Sequence, residues 1–386
     1  MMRDPSSTLW RPRRLGASGV PVGRRFLFAE HRRAALTVLG IAAALVLVLV
    51  LRGIFAGAID QVTRYIRTSP AEVFVSQAGV KTMHMSASAL PPETAAAVRS
   101  VAGVAWVSSI GFASGSVSGP QGRQLSYLIG YDTGTGRGGP TELVTGRAPT
   151  AGEVIVDEQA ADGLGVGVGD TVTVFGVRLQ VVGLSTGGSS ITNTTVFVAQ
   201  PEFAKIRGAL PSYLLVGVEP TADASTVADR IRQAVQVVTV QTREKFATSE
   251  ARIVTDMSAD LLRLMSTIGL LIALAVIALG LMTATLNRIR EYAVLKALGA
   301  TTSRLAGSVT VQVLWTVALA SLLATTLAQL LSWAVPLLAP TVTISITWGA
   351  LIQTTLGALA VGLLAALWPL RRIATLDAAT AFRETR

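Results

Sequence analysis

Few residues of this chain have the types and spacing that catalysis or metal binding requires. The sequence has two histidines, His31 and His84, and no cysteine. Disulfides, thiolate metal sites and cysteine nucleophiles are therefore excluded, and two isolated histidines do not supply the ligand set of a zinc site. The HExxH and GxxxxGK[ST] motifs are also missing, so the chain has no phosphate-binding loop of its own. We expect it to bind neither a metal nor a cofactor.

The sequence matches one motif of a catalytic nucleophile, but the surrounding residues do not fit it. Residues 183–187 read GLSTG and match the G-x-S-x-G elbow around Ser185. That elbow needs a strand before it, a helix after it and a histidine later in the chain. A polar stretch and a strand follow instead, and both histidines lie upstream. We expect no catalysis by this chain. A membrane-tethered hydrolase using Ser185 is the weakest of three functional hypotheses; the other two, export and signalling, are given below. His84 is predicted to be a surface-loop residue.

The composition indicates a membrane protein. Hydrophobic residues make up 51% of the chain and charged residues 15%, against about 25% charged in soluble domains. The net charge of +10 is uneven, with −3 in residues 60–260 and +13 in the remainder. Because the positive charge flanks apolar runs, the positive-inside rule accounts for it and no nucleic-acid partner is needed.

Three long runs without any charged residue predict the membrane spans. They are 34–51, 264–286 and 305–370, and about 20 apolar residues suffice to cross a bilayer. The third run is long enough for two helices and is divided by Pro336 and Pro340. The predicted transmembrane helices are 34–57, 264–286, 308–335 and 347–370. The first run is too long for a signal-peptide core, so we expect an uncleaved anchor.

The fold class expected is a membrane α-helical protein with four transmembrane helices and an inserted α+β domain. Residues 1–33 form a basic cytoplasmic N-terminus with an amphipathic helix from Arg24, or simply a basic flank. Residues 58–260 form the extracytoplasmic domain and residues 261–386 the second membrane domain. All positive clusters then fall on one side, which predicts an inner-membrane, multi-pass protein with both termini in the cytoplasm.

The inserted domain carries strand-like and helix-like runs and two helical extensions. Strands are predicted at 71–76, 104–110, 124–131, 154–156, 171–175, 177–182, 195–199 and 213–218, and helices at 92–101 and 222–235. Apolar residues at helical spacing predict that 54–65 and 246–264 are helices continuing from the membrane; these two segments are called the stalk. Gly53 and Gly57 suit close helix contact, although chance in a glycine-rich chain explains them equally well.

The loop between the second and third spans has a pattern of its own. Arg288, Arg290, Lys296 and Arg304 cluster there, which marks the cytoplasmic side. Apolar residues at helical spacing predict an amphipathic helix over 288–299 that ends at Gly299. Such a helix either docks into a groove of a soluble partner or rests on lipid, and the pattern does not decide between them.

Two separated segments resemble a known family. Residues 288–300 read RIREYAVLKALGA, similar to the cytoplasmic signature of the MacB/FtsX-like ABC transporter permeases (type VII). In the inserted domain, GRAP at 146–149, GEVIVDE at 152–158 and LGVGVGDTV at 164–172 resemble a second family segment. The layout of one span, a large outer domain and three spans also agrees, with the length closest to DevC-like members.

The resemblance implies that the chain is a non-catalytic permease. It would work with a separate cytoplasmic ATPase dimer, which binds the ATP and Mg²⁺. It would also pair with a second permease copy, either identical or a close paralogue. ATP hydrolysis would then drive extracytoplasmic work by mechanotransmission, namely export or extraction of a lipid-like, peptide or drug substrate. The alternative is an FtsX-type signalling subunit that activates an extracellular cell-wall hydrolase.

The resemblance also implies the residues that contact the ATPase. On the coupling helix 288–299 these are Arg290, Glu291, Lys296, Leu298 and Gly299. The first three would supply charge pairing, Leu298 would fill an apolar pocket, and Gly299 would turn the chain back to the membrane. Gln312 stands where many relatives carry an acidic residue, so a salt bridge to the partner is not expected there.

Overall fold

The computed structural model describes residues 31–189, 193–287, 291, 294, 301–339 and 342–375. The helices in these residues are α1 (His31–Thr68), α2 (Thr94–Arg99), α3 (Glu158–Leu164), α4 (Gln200–Arg207), α5 (Ala224–Ala234), α6 (Arg243–Asn287), α7 (Thr302–Leu338) and α8 (Trp348–Thr375). The strands are β1 (Val73–Gln77), β2 (Val104–Gly119), β3 (Gly122–Tyr131), β4 (Glu142–Gly146), β5 (Glu153–Asp157), β6 (Thr171–Val174), β7 (Val177–Thr186), β8 (Thr194–Ala199), β9 (Tyr213–Val218) and β10 (Val238–Thr242).

Four helices are long and apolar enough to cross a membrane among the residues described. Their apolar parts are Ala34–Thr68, Arg263–Gly280, Leu305–Leu338 and Trp348–Leu367, which belong to α1, α6, α7 and α8. All ten strands lie between the first and second of these helices. The predicted fold class, four membrane helices with an inserted α+β domain, is therefore confirmed. The amphipathic helix predicted before residue 31 lies outside the described residues.

The inserted domain is built on a ten-stranded sheet, and one long strand, β2, joins the two halves of this sheet. The strand order is β10-β1-β9-β2-β3-β8-β5-β7-β4, with β6 pairing β2 and β7. Strand β2 has 16 residues; its first part pairs with β9 and its second part pairs with β3. The β3–β8 and β5–β7 pairs are parallel and the other pairs are antiparallel. Because β2 is shared, the two halves of the sheet form one continuous hydrogen-bonded structure.

The domain contains more strands and helices than the sequence pattern predicted. Strands β4 and β10 and helices α3 and α4 were not predicted, and β2 continues nine residues beyond the run that ended at 110. Every residue of β4 is exposed, so it has none of the alternation that marks a half-buried strand. Strand β7, predicted to end at 182, continues to Thr186 and includes Ser185.

The chain divides into two compact units. One comprises the described parts of Met1–Leu47, Thr267–Thr326 and Ile352–Arg386, and the other comprises Val48–Ser266 and Leu327–Leu351. In the first unit small residues bring helices together: Gly40 of α1 faces Val276 of α6, and Gly362 of α8 faces Val313 of α7. Ala358 and Ala366, on the same helix as Gly362, are 0% and 1% exposed. Close packing through small residues is the usual contact of membrane helices.

Candidate coupling site

Only one of the five predicted coupling residues lies in the part of the chain that the structure describes. Glu291 is helical and exposed. Arg290, Lys296, Leu298 and Gly299 lie outside the described residues. The nearby Val294 is also helical, and its side chain is 42% exposed.

The first stalk segment is the C-terminal end of α1, and an extended segment packs against it. Gly53 accepts a hydrogen bond through its carbonyl oxygen from the Ser345 N–H at 2.9 Å, and the Gln61 side chain donates to Thr343 Oγ1 at 2.9 Å. A methyl group on Gly57 would overlap the Thr343 carbonyl oxygen, and one on Gly53 would lie 2.6 Å from Ile344 Cγ2. The two glycines therefore allow a close approach, but their neighbour is the segment 343–345 rather than a helix.

Tyr65 and Thr68, in the last turn of α1, attach that helix to the domain. The Tyr65 hydroxyl donates to the Gly138 carbonyl oxygen at 2.8 Å, and the hydroxyls of Thr68 and Thr141 are 3.0 Å apart. The Tyr65 ring also packs against Phe197 of β8, with centroids 6.4 Å apart. The glycine-rich stretch 133–140 is thus held against the first stalk segment.

The second stalk segment, at the start of α6, is attached by a buried carboxylate. Glu250 is 1% exposed, and its Oε2 accepts the Met83 N–H at 2.6 Å. Its Oε1 accepts the His84 N–H at 3.2 Å and lies 2.7 Å from His84 Nδ1. An isolated buried charge costs several kcal/mol, so these three donors are what allow a carboxylate at this position.

The His84 ring connects this carboxylate to the middle of the sheet. It meets Tyr127 of β3 edge-on with centroids 4.7 Å apart, and Phe112 of β2 at 6.0 Å. Burial and the negative charge of Glu250 both raise the pKa of the Tyr127 and Tyr213 hydroxyls. These phenols therefore remain protonated at neutral pH. His84 does lie in a loop as predicted, but its side chain is only 19% exposed, less than expected of a surface residue.

A small cavity of about 20 Å³ lies beside His84. Side chains of α1, the 83–84 loop and strands β2, β3 and β8 line it, together with Thr141 and two glycines: Gln61, Val62, Tyr65, Met83, His84, Phe112, Tyr127, Ile129, Thr141, Gly187, Gly188, Thr195 and Phe197. That volume has room for about one ordered water.

The geometry around Ser185 is not that of a nucleophile elbow. Ser185 is 0% exposed and is the second-last residue of β7, where it pairs with Leu143 of β4 and Asp157 of β5. No helix follows it among the residues described before β8. A fully buried hydroxyl cannot be reached by a substrate, which removes the sequence argument for a Ser185 hydrolase.

Asp157 closes the loop that follows β7. Its Oδ1 caps α3 by accepting the Gln159 N–H at 3.2 Å and also accepts the Ser189 hydroxyl at 2.5 Å. Its Oδ2 accepts the Gly188 N–H at 3.0 Å. Burial raises the pKa of Asp157, and the hydrogen bonds oppose that shift. No group of three His, Cys, Asp or Glu side chains that could hold a metal was found within the described ranges.

Sequence reasoning missed the contact between His84 and Glu250, although one signal was present. Phe246 and Glu250 are four residues apart, so they lie on the same face of α6. Phe246 is 1% exposed. A charged residue on the buried stripe of a helix requires a partner, but the partner is 166 residues away in sequence.

Comparison with known proteins gives matches over most of the chain. Residues 34–234 match the model of the MacB-like periplasmic core domain, and residues 263–378 match the FtsX-like permease C-terminal model. The chain is similar to an uncharacterized ABC transporter permease of Mycobacterium tuberculosis, in strains CDC 1551/Oshkosh and ATCC 25618/H37Rv. The identity is 24% over 368 residues, covering 92% of this chain and 96% of each relative.

Two solved structures resemble the inserted domain. The periplasmic region of MacB from Actinobacillus actinomycetemcomitans has 13% identity and a TM-score of 0.37, covering 48% of this chain and 94% of that one. The extracellular domain of the noncanonic ABC-type transporter YknZ from Gram-positive bacteria has 14% identity and a TM-score of 0.36, covering 44% of this chain and 99% of that one.

Proposed function

Because the chain belongs to the MacB/FtsX-like ABC transporter permease family, as its sequence motifs predicted, we propose that it couples ATP hydrolysis in a separate ATPase subunit to work outside the cytoplasm. The observation that carries the proposal is the match of both family models, in order, to the two parts of one chain. The sequence has no GxxxxGK[ST] loop, so a partner must bind the nucleotide. The chain itself then acts without catalysis and without a cofactor.

The loop after α6 is the proposed contact with the ATPase. Arg290, Glu291 and Lys296 supply charge pairing with the ATPase surface. Leu298 fills an apolar pocket, and Gly299 ends the helix. The helical, exposed state of Glu291 supports this assignment, because a charge that pairs with another protein must be accessible.

The proposed complex contains two permeases and two ATPases. The permeases are identical or close paralogues, and each has both termini and the 288–299 loop in the cytoplasm. The support for this orientation is the position of the positive clusters, which flank the apolar runs on one side. The extracytoplasmic side then carries the sheet domain, and the membrane is the bacterial inner membrane.

The work proposed is mechanical transmission that exports or extracts a lipid-like, peptide or drug substrate. A polar path through the membrane normally requires charged or strongly polar residues in the spans, but 34–51, 264–286 and 305–370 have no charged residue. Helices α1 and α6 each continue without interruption from an apolar part into a stalk segment. A continuous helix can carry movement along its length, which supports transmission over conduction.

The coupling assignment is tested in membranes reconstituted with the permease and the ATPase that copurifies with it. We expect Glu291→Arg and Leu298→Asp to lower ATP hydrolysis to the rate of the ATPase without permease, because they remove charge pairing and apolar docking. Glu142→Arg, the same charge reversal on the exposed strand β4, is the matched control and should retain stimulation. Unchanged stimulation in both loop variants, with normal membrane insertion, would remove the assignment.

Orientation and substrate need separate measurements. Because the chain has no cysteine, single substitutions Thr145→Cys on the exposed strand β4 and Ala297→Cys can be labelled selectively, and we expect labelling from opposite faces of the membrane. The signalling alternative is distinguished by what copurifies with the intact complex in mild detergent. A lipid-like molecule, peptide or drug-like compound supports export, whereas a cell-wall hydrolase supports an FtsX-type role.

A further inference from the structure

Glu250 has a special position on α6. Phe246, Ala247 and Glu250 are at most 3% exposed, and they are packed inside the domain. From Ala251 to Ser266, the side chains that the structure describes are exposed or only partly buried. Among the side chains that the structure describes, Glu250 is therefore the last buried one of α6 before the apolar part of the helix, which begins at Arg263.

The contact that Glu250 makes is directional. Two consecutive residues, Met83 and His84, direct three donors onto its two oxygens at 2.6, 3.2 and 2.7 Å. Hydrogen bonds weaken steeply with distance and angle. A carboxylate held by donors on both oxygens therefore fixes the helix along its axis and around it.

From this loop two connections lead to the central strands. The His84 ring contacts Tyr127 of β3 and Phe112 of β2. The Tyr213 hydroxyl of β9 donates to the Thr82 carbonyl oxygen at 3.1 Å. Because β9, β2 and β3 are neighbours in the sheet, displacement of Glu250 acts on the middle of the domain rather than on an edge.

We propose that Glu250 is a positioning residue through which movement of α6 enters the outer domain by way of the loop at Met83 and His84. This proposal rests on the proposed function and adds the residue that transmits the movement. A merely stabilising contact would not need a charge, since apolar side chains of similar volume often replace buried ion pairs without loss of stability. The charge fixes the register between helix and loop.

Two substitutions separate the steps of this path. In Glu250→Gln one oxygen becomes an NH₂ group, so a donor faces a donor while the size is retained. In His84→Gln the side-chain amide can still donate to Glu250, but it cannot stack against the rings of Tyr127 and Phe112. Glu244→Gln is the matched control, because Glu244 lies on the same helix with its side chain 76% exposed.

The test uses hydrogen–deuterium exchange on the full permease–ATPase complex in nanodiscs, with and without ATP. In the wild type and in Glu244→Gln we expect ATP to change exchange in 243–266, in 78–90 and in β2 and β3. In Glu250→Gln the change should persist in 243–266 and disappear in 78–90, β2 and β3, with the ATPase rate within about twofold of wild type. In His84→Gln the ATP-dependent change should persist in 78–90 and weaken in β2 and β3, because the contact between Tyr213 and Thr82 remains.

Three results would overturn the proposal. One is an ATP-dependent change in 78–90 of Glu250→Gln that equals the wild type. If Glu250→Gln does not fold, the second is an ATP-dependent change of exchange in β2 and β3 of His84→Gln that equals the wild type. The third is a wild type without any ATP-dependent change in 243–266, which would overturn the proposed function as well.

Discussion

Substitution of Gly57 tests whether the segment 343–345 holds the first stalk helix. A methyl group at Gly57 would overlap the Thr343 carbonyl oxygen. Backbone of that segment cannot turn aside as a side chain can, so the segment must move away from α1. This movement would break the two hydrogen bonds to Gly53 and Gln61 and would expose Ile344, which is 7% exposed in the native structure.

The size of the effect follows from these interactions. Each hydrogen bond contributes about 1 kcal/mol, and burial of an isoleucine contributes about 1.5–3 kcal/mol. Alanine gains about 1 kcal/mol over glycine inside a helix, which offsets part of this loss. We therefore expect Gly57→Ala to weaken the packing of the segment on α1 by about 2.5–4 kcal/mol, which corresponds to roughly 60- to 700-fold in its equilibrium constant.

The assay is disulfide formation between Gln61→Cys and Thr343→Cys in membranes. The chain has no cysteine of its own, and the two native side chains are in hydrogen-bond contact at 2.9 Å. Because the two cysteines remove this hydrogen bond, the loss caused by Gly57→Ala in this background is smaller by about 1 kcal/mol. Gly57→Ala should slow the formation of this disulfide at least tenfold. Gly53→Ala should have a smaller effect, because a methyl group there meets the rotatable side chain of Ile344.

Gly349 provides the matched control for this measurement. A methyl group at Gly349 of α8 has no neighbour within 4 Å, so Gly349→Ala should leave the rate of disulfide formation unchanged. If Gly57→Ala forms the disulfide at the rate of the Gly349→Ala control, the segment does not lie against α1 through Gly57. The steric reasoning would then be refuted.

Two further predictions concern carboxylates of the outer domain. Hydrogen bonds from Arg147 and Thr150 lower the pKa of Glu153 to about 2. A carboxylate with a lowered folded-state pKa contributes stability above its ordinary value of 4.5, and this contribution is lost as the pH falls through the folded value. The difference in thermal unfolding temperature between wild type and Glu153→Gln should therefore be constant near neutral pH and shrink between about pH 4 and 2; a difference that does not depend on pH would contradict the pairing. Asp157→Asn should lower the free energy of unfolding by about 1–3 kcal/mol and speed hydrogen exchange in 187–189, because its NH₂ group would face one of the three donors to Asp157. Unchanged exchange there would show that Asp157 does not hold the loop.

The membrane helices could be predicted from sequence because lipid imposes a simple rule. A run of about 20 uncharged apolar residues has few stable alternatives to a helix. Strands buried on both faces, such as Tyr213–Val218, were also visible as short apolar runs. The exposed strand β4 was not, because its stability comes from pairing with β7 rather than from burial of its own side chains.

The contacts of the stalk were beyond sequence reasoning for a different reason. Gly53 and Gly57 signal a close approach, but nothing in their spacing shows whether a helix or an extended segment approaches. Their partner is almost 300 residues away. Glu250 likewise indicates a buried partner without identifying it, since any donor placed there by the fold would satisfy it. Long-range pairing of this kind depends on the folded topology, which local patterns do not encode.

The two stalk segments are held by contacts of different kinds, and this difference has a mechanical consequence. The first segment relies on glycines that allow close packing, together with the hydrogen bond from Tyr65. The second relies on a buried carboxylate that fixes the register of α6 against one loop. Both contacts belong to the same compact unit. If movement enters through α6 as proposed, loosening Glu250 should interrupt its path into the sheet, whereas loosening the Gly57 contact should leave that path intact.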